Sequence, residues 1–214
     1  MRLFLLLSAL SLAAHADDPQ WEQKDFDCKR PDSCDAQQCC QYGLAVFTRE
    51  GAGEGLKEVK AVGQVDAPPE KVFAVVSDYE HQTGNMPYVQ DQAVFSRTAG
   101  ECVFWAVADF PMVSKRDWVV RAKLERNLPG GVYRTSWQPA VVAEVPPPED
   151  GVVRLKVNTG SWTLTPLDGG KRTLATYQLL TDPGGSIPRF IANQANTTAL
   201  PELFARVRKR AEAK

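Results

Sequence analysis

Cys28, Cys34, Cys39 and Cys40 fall within thirteen residues, the densest group of reactive side chains in the chain. Sulfur so clustered either binds zinc as thiolate or pairs as disulfide. The spacing lacks the Cys-x-x-Cys pairs typical of structural zinc, so it reads as two disulfides and no metal site. Three pairings are open, and a strained Cys39–Cys40 bridge is less favoured than bonds from Cys28 and Cys34 to that pair. The fifth cysteine, Cys102, stands in the apolar run ECVFWAVAD and reads as a buried free thiol. Acid–base chemistry would have to use His81, which lies near Asp78 and Glu80 and is the only histidine after residue 16. No nucleophile elbow, HExxH, GxGxxG or P-loop accompanies it. His81 therefore reads as a loop histidine among solvated carboxylates, and the expectation is a protein that is not an enzyme and needs no cofactor.

Composition narrows the classes further. Across 214 residues, 25 Lys and Arg face 26 Asp and Glu, a balance that argues against a nucleic-acid partner. No apolar run reaches the ~20 residues that a spanning helix needs. Residues 1–16 read as a signal peptide: Met1-Arg2, an apolar run from Leu3 to Ala14, and the small-x-small site Ala14-His15-Ala16. The expected location is periplasmic or secreted, which agrees with paired cysteines. Residues 17–42 form the cysteine-rich segment, expected to be a helical or looped lid, and residues 43–214 form one domain.

The elements that would position any site are mostly strands. Residues 43–50 and 57–66 flank the turn-rich GAGEG and make a hairpin. Pro68-Pro69-Glu70 opens a helix with Val72, Phe73, Val75 and Val76 on its apolar face, and a turn follows at His81 to Met86. Seven strands are then expected in a meander: 89–97, 102–109, 117–126, 131–138, 151–158, 160–167 and 172–181, about nine in all. In RDWVVRAKLER the face Trp118, Val120, Ala122, Leu124 opposes Arg121, Lys123, Glu125, and in VYRTSW Tyr133, Thr135, Trp137 opposes Val132, Arg134, Ser136. The wet and dry faces require a cover. From Ile187 onward the chain has helical spacing, with Ile187, Ile191, Ala195, Ala199, Leu203 and Val207 as its seam and Pro201 as an expected bend. The fold class is therefore α+β, a curved antiparallel sheet wrapped around a long C-terminal helix.

If that helix stands off the sheet, the space between becomes an apolar cavity. Its expected lining is Trp105, Trp118, the aromatic strand 133–137, and Ala192, Asn196, Ala199 and Leu203 of the helix. A dry core would place larger apolar residues at the small and polar helix positions.

Three stretches carry a resemblance to a known family. They are Gly43 to Asp78 (GLAVFTRE, then LKEVKAVGQVDAPPEKVFAVVSDY), Ser114 to Val120 (SKRDWVV), and Gly184 to Arg210 (GGSIPRFIANQ through LFARVRKR). In this order they resemble the START domains, the steroidogenic-acute-regulatory-related lipid-transfer domains of the Bet v 1-like helix-grip superfamily. The resemblance runs from Trp21 nearly to the C-terminus. It implies one hydrophobic ligand, lipid or sterol-like, in a tunnel beneath the C-terminal helix, with transient membrane contact as a possibility; the few exposed apolar cues in the sequence make a monomer the expectation. It also implies a cavity arginine, for which Arg116 holds the matching position and Glu101 or Asp109 are candidate partners; an exposed Arg116–Asp117 pair is the alternative. After Asp78 the sequence GNMPYVQ departs from the commonest pattern. It is closer there to bacterial polyketide-cyclase and coenzyme-Q-binding relatives, so a cyclase-like enzyme using the same cavity is the second reading.

Overall fold

The computed structural model describes residues 21–26, 43–51, 56–111, 113–145, 147–185, 187 and 199–213. Ten strands lie among them: β1 (Glu22–Phe26), β2 (Leu44–Glu50), β3 (Lys57–Val65), β4 (Val89–Arg97), β5 (Glu101–Ala108), β6 (Lys115–Leu128), β7 (Val132–Pro139), β8 (Val152–Arg154), β9 (Val157–Leu167) and β10 (Arg172–Asp182). Two helices accompany them, α1 (Pro69–Val76) and α2 (Leu200–Ala211). The strands form one sheet in the order β1-β2-β3-β10-β9-β7-β6-β5-β4, with β8 paired to the start of β6. The fold class is the expected one.

Two expectations need correction. The segment 17–42 is not wholly helical or looped, because Glu22–Phe26 is a strand antiparallel to β2, with Phe26 opposite Leu44. EQKDF has no apolar alternation, so nothing in its pattern announced a strand. Nor is the meander complete: β8 runs parallel to β6, Lys115 opposite Val152 and Asp117 opposite Arg154. The remaining strands pair antiparallel. The outer edge strand β4 carries register shifts at Val89/Asp91 and Val94/Ser96.

Local chemistry explains the helices. Pro69 sits in the first turn of α1, where a missing N–H costs nothing, and Glu70 complements the dipole there. The helix buries Val72 and Phe73 and ends at Ser77, whose hydroxyl donates to the Phe73 carbonyl at 2.7 Å. Helix α2 buries Leu200, Leu203, Phe204, Val207 and Ala211, a single face at helical spacing. Pro201 lies in its first turn. The bend expected there concerns a helix drawn through from Ile187, and residues 188–198 lie outside the described residues.

The core sits between the inner face of the sheet and these helices. It includes Val46, Ala61, Val65, Phe104, Ala122, Leu124, Trp162, Leu164 and Ala175, with Phe204 fully buried among them. Gly63 makes that approach possible: a Cβ there would stand 2.9 Å from the Phe204 ring. The basic end of α2 serves as an attachment. Arg208 donates to the carbonyls of Gln64 (2.8 Å) and Gly43 (3.0 Å), Arg206 to that of Gly84 (2.8 Å), and Arg210 pairs with Asp78 at 2.5 Å.

Candidate functional site

Strand alternation divides the expected site residues. On β6 the core-facing positions are Arg116, Trp118, Val120, Ala122 and Leu124. On β5 they are Cys102, Phe104, Ala106 and Ala108, which leaves Trp105 on the outer face. Its indole donates to Asp117 Oδ2 at 2.9 Å, and Asp117 also receives Arg154. Trp105 is thus removed from the cavity lining. The sequence could not show this because ECVFWAVA is apolar on both faces after Glu101 and offers no polar alternation to read.

Arg116 and Asp117 also point to opposite faces, so they form no exposed pair. Asp117 is 2% exposed and belongs to Arg154. Arg116 is 3% exposed, and none of the described acidic residues pairs with it. Glu101 is bound to Arg121 on the outer face, and Asp109 uses its backbone N–H on the Tyr88 carbonyl. Arg116 Nε donates to the Pro183 carbonyl at 3.2 Å and Nη1 to that of Ser114. Nη2 makes no hydrogen bond to a described residue and lies beside Gly185. Burial alone pulls this guanidinium's pKa downward.

Among the inward positions of β5, of β6 as far as Leu124, and of β7, β9 and β10, Arg116 is the only charged residue. Around it, toward the same end of the sheet, Trp118, Trp137 and Leu179 are half-buried, while Asn158 and Thr181 are buried. Asn158 accepts from Trp137 Nε1 at 3.1 Å, and Thr181 donates to the Val157 carbonyl at 2.9 Å. Asn158 was not anticipated, and neither was Gly160, although a glycine inside a strand pattern is a signal of close approach.

From the helix, Leu203 is packed in the core and Ala199 is half-buried at the start of α2. Ala192 and Asn196 lie outside the described residues, as do Cys28, Cys34, Cys39, Cys40 and residues 1–16. Cys102 is free and fully buried, as expected, and burial pushes its thiol upward.

The acid–base candidates are accounted for elsewhere. His81 is 73% exposed and its Nδ1 lies 2.8 Å from Asp78 Oδ1. Burial raises the Asp78 carboxyl, but hydrogen bonds from His81 and Arg210 outweigh it and hold the group below the usual range. Tyr79 shares a 2.7 Å hydrogen bond with Thr135, and burial drives both its hydroxyl and that of Tyr177 upward. Among the described residues no group of three His, Cys, Asp or Glu could hold a metal, and no helix is long and apolar enough to cross a membrane. A groove of about 1020 Å³ crosses the outer face over Ser136, Thr159 and Ser161. Ion pairs Arg49–Glu58 and Arg121–Glu101 stand at its rim.

A curved antiparallel sheet gripping a C-terminal helix is the helix-grip fold. Residues 65–208 match the family described as "Polyketide cyclase / dehydrase and lipid transport", and the chain belongs to it, in its START-type form. An uncharacterized protein of Pseudomonas aeruginosa is 27% identical over 153 residues, 71% of this chain and 73% of its own length. Among solved structures, a STAR-related lipid transfer protein from Xanthomonas axonopodis matches with TM-score 0.71 and 26% identity, covering 90% of this chain and 99% of that one. Human STARD10 matches with TM-score 0.72 and 19% identity, over 90% and 73% respectively. The Zhui aromatase/cyclase from Streptomyces matches with TM-score 0.51 and 17% identity, over 72% and 93%. The last two likenesses are of fold alone.

Proposed function

We propose that this protein is an exported, non-enzymatic carrier of one hydrophobic molecule. The ligand lies against the inner face formed by Trp118, Trp137 and Leu179 and turns its polar end to Arg116. The observation that carries the reading is a nearly fully buried guanidinium with no acidic partner among the described residues and with Nη2 donors to spare. A buried charge is costly unless paired, and a ligand carboxylate, phosphate or hydroxyl would supply the missing acceptor. The lipid-transport description of the family supports the same reading. Against the cyclase-like alternative stand the lack of an inward carboxylate on the surveyed strands and the upward-shifted Tyr177 hydroxyl, which make a poor general base.

The test is expression with residues 1–16 intact, purification from the periplasm, native mass spectrometry and lipid extraction. One co-purifying lipid per chain supports the carrier. An apo mass unchanged by sterols, phospholipids and quinones would overturn it. Chain retained in the cytoplasm would overturn the export reading separately.

A further inference from the structure

Gly160 lies inside β9 with no positive φ, so space, not backbone conformation, requires a glycine there. A Cβ at this position would stand 2.4 Å from Trp137 Cζ2, 2.9 Å from its Cε2 and 2.5 Å from the Gln178 carbonyl oxygen. The indole of Trp137 therefore lies across the β9 backbone, and its Nε1 is held by Asn158. Behind it the rings continue without a break: Trp137 to Tyr177 at 5.9 Å, Tyr177 to Trp162 at 4.8 Å, Trp162 to Phe204 at 5.1 Å. The last ring is fully buried, so this row has no room to retreat. Trp137 itself is only half-buried and closes the row on the side facing Arg116.

Strand register gives the scale. Leu179, opposite Gly160, is four residues from Pro183, whose carbonyl Arg116 holds. Ala122, opposite Trp137, is six residues from Arg116. At about 3.3 Å per residue these two paths run roughly 13 to 20 Å.

We propose that Trp137, pinned by Gly160 and Asn158, is a specificity-determining residue: the end wall that sets how long an apolar chain can be when its polar end meets Arg116. This rests on the carrier reading above. The ligand class it selects is a molecule with one anionic or hydroxylated end and an apolar body that stops at the indole.

The test uses the full chain, stripped of lipid, and a ladder of saturated fatty acids from short to long, with affinity measured for each. Trp137→Phe shortens the wall and removes the Nε1 hydrogen bond, and it should move the preferred chain to greater length. Gly160→Ala should lift the indole off β9 into the space over the inner face and move the preference to shorter chains. The longest chain bound by the unaltered protein should lose about tenfold, the scale of two methylenes left unburied. A purely structural role would weaken all lengths alike, so opposite shifts support the wall. An unmoved preference in Trp137→Phe, with binding retained, overturns this inference and leaves the carrier reading standing. Failure of the unaltered protein to bind any member of the ladder or any natural lipid overturns both. Should Gly160→Ala fail to fold because of the Gln178 carbonyl, seen by far-UV circular dichroism, Trp137→Phe decides alone.

Discussion

The inner face of the sheet has two halves built on one set of strands, and they differ in what covers them. Toward α2 it is a dry core: Gly63 admits Phe204, Trp162 packs at a tilt against that ring, and Leu164 and Ala175 are fully buried. Toward Arg116 the same strands present Trp118, Trp137, Asn158, Leu179 and Thr181, larger or more polar and less completely covered. The first half is optimised for packing, in which each missing methylene is felt. The second keeps a charged donor among apolar surfaces, which weakens a fold unless something occupies the space. Under the proposed carrier reading, stability and binding fall at opposite ends of the sheet.

Substitutions can break that division. The largest stability effect is expected for Phe204→Ala, about 3–5 kcal/mol by denaturant unfolding, the cost of a large cavity in a core that cannot collapse. Equal stability would mean that the α2 half is not the core. Next, Asp117→Ala removes the carboxylate to which both Arg154 and Trp105 Nε1 donate. Because Arg154 is partly exposed, a loss of about 1–3 kcal/mol is expected, read as a lower denaturation midpoint. Arg116→Leu should do the reverse of Phe204→Ala. Thermal stability is held or raised by removing an unpaired buried charge, while affinity for an anionic lipid falls roughly 10- to 100-fold in a titration. Lost folding with retained affinity would invert the assignment.

The smallest effect is on the acid side. Asp78 ties the end of α1 to α2 through Arg210, and its folded pKa lies below its unfolded one. Its contribution is therefore complete above about pH 4 and disappears as pH falls through the lower folded value. Asp78→Asn should flatten that part of the stability profile by at most about 1 kcal/mol. An unaltered acid limb in pH-dependent unfolding would detach Asp78 from the docking of α2.

How legible these halves were differs as well. The alternation in RDWVVRAKLER and VYRTSW placed Val120, Ala122, Leu124, Tyr133 and Thr135 inward, because one face is wet and the other dry. Pro68-Pro69 marked the start of α1 for reasons that are local to the backbone. Trp105 was misplaced because a strand apolar on both faces carries no polar period to read. β1 and β8 were missed or misjudged because four polar residues ending in Phe26, and three isolated ones, acquire strand character only from a distant partner. Arg116 was visible as a position, yet its lack of an acidic partner is a three-dimensional fact. Gly160 was visible as a letter, and its reason is a ring from a neighbouring strand.

The ladder between β1 and β2 has a topological consequence. With Phe26 set opposite Leu44, the sheet itself closes the loop that carries Cys28, Cys34, Cys39 and Cys40. Any bridge among these four is a loop nested inside another loop. It would constrain only a short stretch of the unfolded chain, so the fastening it adds would be local. Phe26 and Leu44 also lie at the end of the strands away from Arg116, so both anchor points of that span are remote from the proposed binding end.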